Sequence, residues 1–165
     1  MWQSKMKNIL LSVFIAFTLL SCNRKNESVD EKIVINETRP ISELKNLVLS
    51  CGDTLAYKEL EIAFIHEKWP GELLLYSIYM ANKYQFPRAY FDVYYYTFNT
   101  YMDSLGIIDD DSNKMAIEYL KKGAELKDPQ SIRELGLLYI DGKYIEKDSI
   151  KGKKLEKLGR KLCGF

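Results

Sequence analysis

From residue 41 onward, apolar residues recur three and four positions apart, with polar residues filling the places between them. That spacing marks helices with one buried stripe. Short breaks containing Asp, Gly or Pro divide the pattern into segments. It predicts helices at about 54–66 and 71–84, 87–102 and 112–126, 129–140 and 148–162, with a short helix at about 41–50 capping the first. Asp53, Ser112 and Asp148 stand where N-caps are expected, and Asp128 before Pro129 sets a cap acceptor beside a preset φ. Gly142 suits a left-handed C-terminal stop.

The segments pair into hairpins that resemble one another. Sliding the chain against itself aligns Ser131 with Ala89 and Ala89 with Ala56, offsets of 42 and 33 residues. The same register pairs Leu135 with Val93 and Leu60, and Pro129 with Pro87. In the second helices it pairs Gly159 with Gly123 and Ala81. One insertion, Tyr101 to Asp111, accounts for the longer middle offset. A hairpin of this kind cannot bury its apolar face alone, so neighbours must stack. The strongest packing is expected around Ala116, Leu120, Ala124, Leu135 and Leu155.

Asp128-Pro129, Leu135-Gly136, Tyr139, Gly142, Ile145 and Asp148 together closely resemble the Sel-one-like branch of the tetratricopeptide-like repeats. The resemblance implies an all-α fold, a short right-handed solenoid of about three stacked hairpins. It also implies the usual work of such scaffolds, holding a partner on a concave face. The third unit matches well and the first two depart from it. Where the third has Gly136, the second has Tyr94 and the first Glu61. A large residue there would hold the helices further apart or turn the position outward.

The first 40 residues follow another pattern. Lys5 and Lys7 precede an apolar run from Ile9 to Leu20, too short for a comfortable membrane span of ~20 residues and laid out as an export signal. Leu19-Leu20-Ser21-Cys22 resembles the lipobox of bacterial lipoproteins. That resemblance implies cleavage before Cys22, a diacylglycerol on its sulfur, and a place in the cell envelope, with the outer membrane slightly preferred because Asn23 follows. The expected organisation is a signal at 1–21, a lipidated cysteine and flexible, disordered tether at 22–40, and a helical-repeat domain at 41–165. Such a tether could extend to ~60 Å. Ile33-Val34-Ile35 interrupts it with a short β-like run.

Charge and chemistry narrow the function by exclusion. Without 1–21 the chain has 22 basic and 23 acidic residues, a balance unlike that of a general nucleic-acid binder. Cys51 and Cys163 lie near opposite ends of the proposed stack, too far apart to bridge, so each is read as a small buried residue. His66 is the single histidine, so no triad or histidine-rich metal site can be assembled. Asp109, Asp111 and Asn113 have the spacing of a calcium loop. Lys114 and Leu120 then occupy the positions of its turn glycine and bidentate glutamate. No cofactor, metal or catalytic residue is therefore expected.

Tyr90, Phe91, Tyr94, Tyr95, Tyr96, Phe98 and Tyr101 crowd one predicted helix. Ala89, Val93, Tyr96 and Thr100 fall on one side, matching the repeat's packing positions. Tyr90, Tyr94, Phe98 and Tyr101 form a second stripe. That stripe is either core or a partner-binding surface, and Tyr90, Tyr94 and Tyr101 are the candidate anchors. The expectation is a non-enzymatic, membrane-tethered interaction module for an envelope protein or peptide. The alternative is a glycan-binding or hydrolytic protein with a groove lined by the tyrosines and Glu59, Glu61 or Asp92.

Replacing Cys22 with Ala is expected to block maturation and release the protein from membranes. Normal processing with continued membrane fractionation would refute the lipobox reading.

Overall fold

A computed structural model describes residues 39–66, 70–105 and 108–164, with the side chains at 66, 70 and 99–105 outside the description. These residues fall within one of two units into which the chain divides, Ile35–Phe165. The signal, Cys22, Ile33-Val34-Ile35 and nearly all of the proposed tether lie outside the described residues.

The described residues form an all-α fold of seven helices, with no strand among them. They are α1 (Ile41–Cys51), α2 (Thr54–His66), α3 (Pro70–Tyr84), α4 (Pro87–Leu105), α5 (Asp110–Glu125), α6 (Pro129–Asp141) and α7 (Ser149–Cys163). Each packs on the next, and contacts that skip a helix join only α1 to α3 and α4 to α6. Two cores result. Leu44, Val48, Tyr57, Leu60, Phe64, Leu73, Met80, Tyr90 and Val93 fill one, drawn from α1 to α4. Tyr94, Ala116, Ile117, Leu120, Leu135 and Leu138 fill the other, with Ala124 and Leu155 packed against it. Helix α4 divides them and contributes to both.

The register found in the sequence is buried throughout. Ala56, Ala89 and Ser131 are inaccessible, as are Leu60 and Val93, with Leu135 nearly so. Ala81, Gly123 and Gly159 in the second helices are buried as well. Small residues recur where helices come close. A methyl group at Gly136 would lie 2.5 Å from the Glu156 nitrogen and 2.8 Å from the Gly152 oxygen. One at Gly159 would meet the Arg133 backbone at 2.6 Å. The α6–α7 crossing is thus backbone against backbone. Helices α2 and α4, first helices of neighbouring hairpins, meet instead through the side chains of Tyr57, Glu61, Arg88, Asp92 and Tyr96.

The helix boundaries follow local chemistry. Asp53 Oδ1 accepts from the Leu55 and Ala56 nitrogens, both at 2.9 Å. Asp128 accepts from the Ser131 nitrogen and hydroxyl, both at 2.7 Å, and Asp148 from the Lys151 nitrogen. Gly142 adopts a left-handed φ of 72° and closes α6.

Four expectations need correction. Asp109, not Ser112, caps α5: its carboxylate accepts from the Asp111 and Ser112 nitrogens at 3.1 and 2.9 Å, which also gives the calcium-like acidic run a helix-starting role. The insertion is partly absorbed by α4, which continues to Leu105. Cys51 is exposed rather than buried, its thiol donating to the Leu47 carbonyl, while Cys163 is half-buried; both are free. The end of the tether is held to the fold, because the Arg39 guanidinium makes a two-pronged pair with Glu59 at 2.9 and 2.5 Å.

Replacing Gly136 with Leu is expected to destabilise the fold by ~1–3 kcal/mol, because the colliding atoms are backbone and cannot rotate away. Replacing Gly71 with Ala, which meets nothing within 4 Å, should be neutral or slightly stabilising. Thermal melts of the two variants check this, and an unchanged midpoint for Gly136→Leu would contradict the close crossing.

Candidate functional site

Helix α4 begins at Pro87, whose missing N–H and fixed φ suit a first-turn position, and it runs between the two cores. At 100° per residue, its buried residues wrap most of its circumference: Asp92, Tyr96, Ala89, Val93, Thr97, Tyr90 and Tyr94 in angular order. The remaining strip carries Phe98, Phe91, Tyr95 and Arg88. Tyr95 is 46% exposed, the most open of the described aromatic side chains on the helix.

Tyr90 and Tyr94 do not reach this strip. Each is only 7% exposed. Tyr90 packs on Tyr119 of α5 with ring centres 5.8 Å apart. Tyr94 lies against Phe98 at 4.8 Å, and its hydroxyl points to Glu134 of α6 at 3.4 Å. At these two positions the proposed anchor stripe is core, because α5 and α6 close over that side of α4. The Tyr101 side chain lies outside the described residues, as does that of His66.

The aromatic surface is instead one phase further around the helix. Phe91 and Tyr95 stack, with centres 5.8 Å apart and planes 21° from parallel. The Arg88 guanidinium sits over the Phe91 ring at 5.0 Å. Phe98 meets Tyr144, from the segment between α6 and α7, edge to face at 5.2 Å. The sequence held a signal for this strip: Phe91, Phe98 and Tyr95 lie opposite the packing stripe of Ala89, Val93 and Tyr96. The tyrosines adjacent to that stripe are simply further into the core.

Beneath the strip is a buried polar cluster. Asp92 is 1% exposed. Its carboxylate lies 2.8 Å from Arg88 Nε and 2.9 Å from the Tyr57 hydroxyl. The Tyr57 hydroxyl is also 2.7 Å from Ser77 Oγ, which reaches the Leu73 carbonyl at 2.9 Å. Glu61 lies 3.6 Å from the other side of Arg88 and accepts from the Tyr96 hydroxyl at 3.1 Å. Burial pushes the Asp92 carboxyl up to about 7, against the pull of Arg88. The Tyr57 hydroxyl donates to the Asp92 carboxylate, and the Ser77 hydroxyl donates to the Leu73 carbonyl. Burial likewise raises the Tyr57, Tyr94 and Tyr96 hydroxyls, so all three remain neutral donors.

This geometry engages the acids named for a hydrolytic groove. Glu59 is paired with Arg39, Glu61 and Asp92 flank one arginine, and Asp92 lies in the interior. An open hollow of about 670 Å³ lies elsewhere, lined by Lys121, Tyr139 and residues 145–151. Two of its polar side chains are already engaged: Asp148 caps α7, and Lys151 donates to the Tyr139 hydroxyl at 2.7 Å. Among the described residues, no cluster of His, Cys, Asp and Glu has the arrangement of a metal site. No described helix is long and apolar enough to cross a membrane.

Neither family models, curated proteins nor solved structures give a significant match to this chain.

The Asp92 carboxyl sets a pH dependence. Its pKa is raised in the fold, so its contribution is fully present below about pH 4, is lost as pH rises to about 7 and is flat above. The slope can reach ~1.4 kcal/mol per pH unit. Urea unfolding of the protein and of Asp92→Asn across that window should show a stability difference that changes with pH. A constant difference would mean that Asp92 is ionised throughout.

Proposed function

We propose that the chain is a non-catalytic interaction module of the bacterial envelope, tethered through a lipid on Cys22 and holding a protein or peptide against α4. The observation that carries this reading is the solvent strip of α4. The buried residues of α4 span about 200° of its circumference, and the strip they leave is mostly aromatic, with Arg88 at its edge. Stacked Phe91 and Tyr95 offer broad contact area at low entropy cost, and a hydroxyl for orientation.

The repeat reading gives this face its setting. Neighbour-to-neighbour packing, buried small residues in the aligned register and a helix-starting proline in the second and third units are what three stacked hairpins would produce. In a right-handed stack of the Sel-one-like kind, the first helices line the concave side, and α4 is the first helix of the middle unit. The lipobox-like Leu19-Leu20-Ser21-Cys22 supplies the envelope address. The glycan-binding or hydrolytic alternative is less favoured, because its acids are engaged in internal ion pairs.

A photo-crosslinking residue at Tyr95, introduced in the native cells, is expected to give discrete adducts that the same residue at exposed Lys58 does not. Tyr95→Ala should then weaken capture of that partner by ~2 kcal/mol or more while lowering stability by less than ~1 kcal/mol. Identical adduct patterns at positions 95 and 58 would remove α4 as the binding face.

A further inference from the structure

The chain's charge is segregated. Residues 142–165 hold eight basic and three acidic side chains, whereas residues 22–141 hold fourteen basic and twenty acidic. Most of the basic excess lies on α7, which packs on α6 and on no other described helix. Gly152 and Gly159 face that contact, leaving the opposite side of the helix uncovered. At 100° per residue, Lys153, Lys157, Ile150, Lys161, Lys154 and Leu158 follow one another around this uncovered side within 140°.

Two features separate this face from an ordinary solvated helix edge. Among the described residues, none of its four lysines is in an ion pair, although α7 contains Glu156, which is engaged by Arg160. An exposed helix normally interleaves opposite charges at three- and four-residue spacing, as Lys121–Glu118 and Lys122–Glu125 do on α5. In addition, aliphatic side chains project from among the lysines. Ile150 is 74% exposed, and Leu158 44%. In water these tips gain nothing from their position. Unpaired lysines spread over a convex helix, with protruding aliphatic tips, match an anionic lipid surface, although Ile150 also borders the hollow beside Tyr139. Headgroup phosphates would take the ammonium groups, and the aliphatic tips would enter the boundary layer.

We propose that the outer face of α7 is a contact surface for anionic membrane lipids, distinct from the partner-binding strip of α4. A protein anchored only at its N-terminal side would be free to turn over the membrane. Contact through α7 would fix its orientation. Each lysine held at an anionic surface multiplies partitioning roughly fivefold, so four are enough to bias a protein that is already near the membrane.

The test uses the full chain bound to vesicles of phosphatidylcholine alone or of an even mixture with phosphatidylglycerol, so that attachment through the N-terminal segment is common to both. Lysine acylation is followed residue by residue by mass spectrometry. Lys153, Lys154, Lys157 and Lys161 are expected to react several-fold more slowly on the mixed vesicles, with exposed Lys58 unchanged and high salt abolishing the difference. Ile150→Asp with Leu158→Asp, both at exposed positions, should reduce the protection while the far-ultraviolet spectrum is retained. Equal labelling of the four lysines on both vesicles would overturn the proposal, as would slowing that extends equally to Lys58. Protection seen on native membranes but absent on protein-free vesicles would also overturn it, and would assign the face to an acidic protein.

Discussion

At Gly136 the α6 and α7 backbones touch, and a single methyl group would put atoms within 2.5 Å of one another. The equivalent positions in the two preceding hairpins hold Tyr94 and Glu61, whose side chains reach to the next hairpin, Tyr94 to Glu134 and Glu61 to Tyr96. A close crossing is filled by the backbone and needs little else. A wide one must be filled by long side chains, and the aromatic ones available bring hydroxyls with them. A buried hydroxyl without a partner is costly, so each tyrosine placed in a wide gap calls for an acceptor nearby.

That requirement accounts for the carboxylates around α4. Tyr57 reaches Asp92, Tyr96 reaches Glu61, and Tyr94 points to Glu134. Buried carboxylates need compensation in turn. Arg88 supplies it for two of them, lying between Glu61 and Asp92. Breaking one member would leave the others uncompensated, a larger penalty than the net value of any single contact. The cluster is therefore structural fill for the space between α2 and α4.

Much of the fold was legible because it rests on local chemistry. Helix phase, Pro87 and Pro129 at helix starts, Asp53, Asp128 and Asp148 as caps, and the Gly142 stop are each specified within a few residues. The self-alignment located buried positions for the same reason: small residues at fixed offsets reflect close approach. The failures were non-local. Asp109 outcompeted Ser112 as a cap only because α5 starts two residues earlier. Cys51 shares the helical phase of buried Leu44 but is the last residue of α1, where it is exposed. The α4 stripe stayed open between core and surface because periodicity gives the angle between residues but not how far neighbouring helices wrap around. Tyr90 and Tyr94 sit just beside the packing stripe, and α5 and α6 cover that flank. Only the direction opposite the stripe stays open, where Phe91 and Tyr95 are found.

The two outward surfaces differ in a way that sorts their ligands. On α4 the cation at the edge of the aromatic strip, Arg88, is already neutralised by Glu61 and Asp92 while its guanidinium plane covers Phe91. A ligand there meets flat aromatic area with no net positive charge, so an anionic group would gain little. On the outer face of α7, Lys153, Lys154, Lys157 and Lys161 have no ion-pair partner among the described residues, and binding there would rest on charge with a small aliphatic supplement. On the proposed readings, one surface would select by shape and stacking, the other by charge. Ionic strength should separate them, because screening weakens contacts through exposed charges far more than contacts through buried aromatic area.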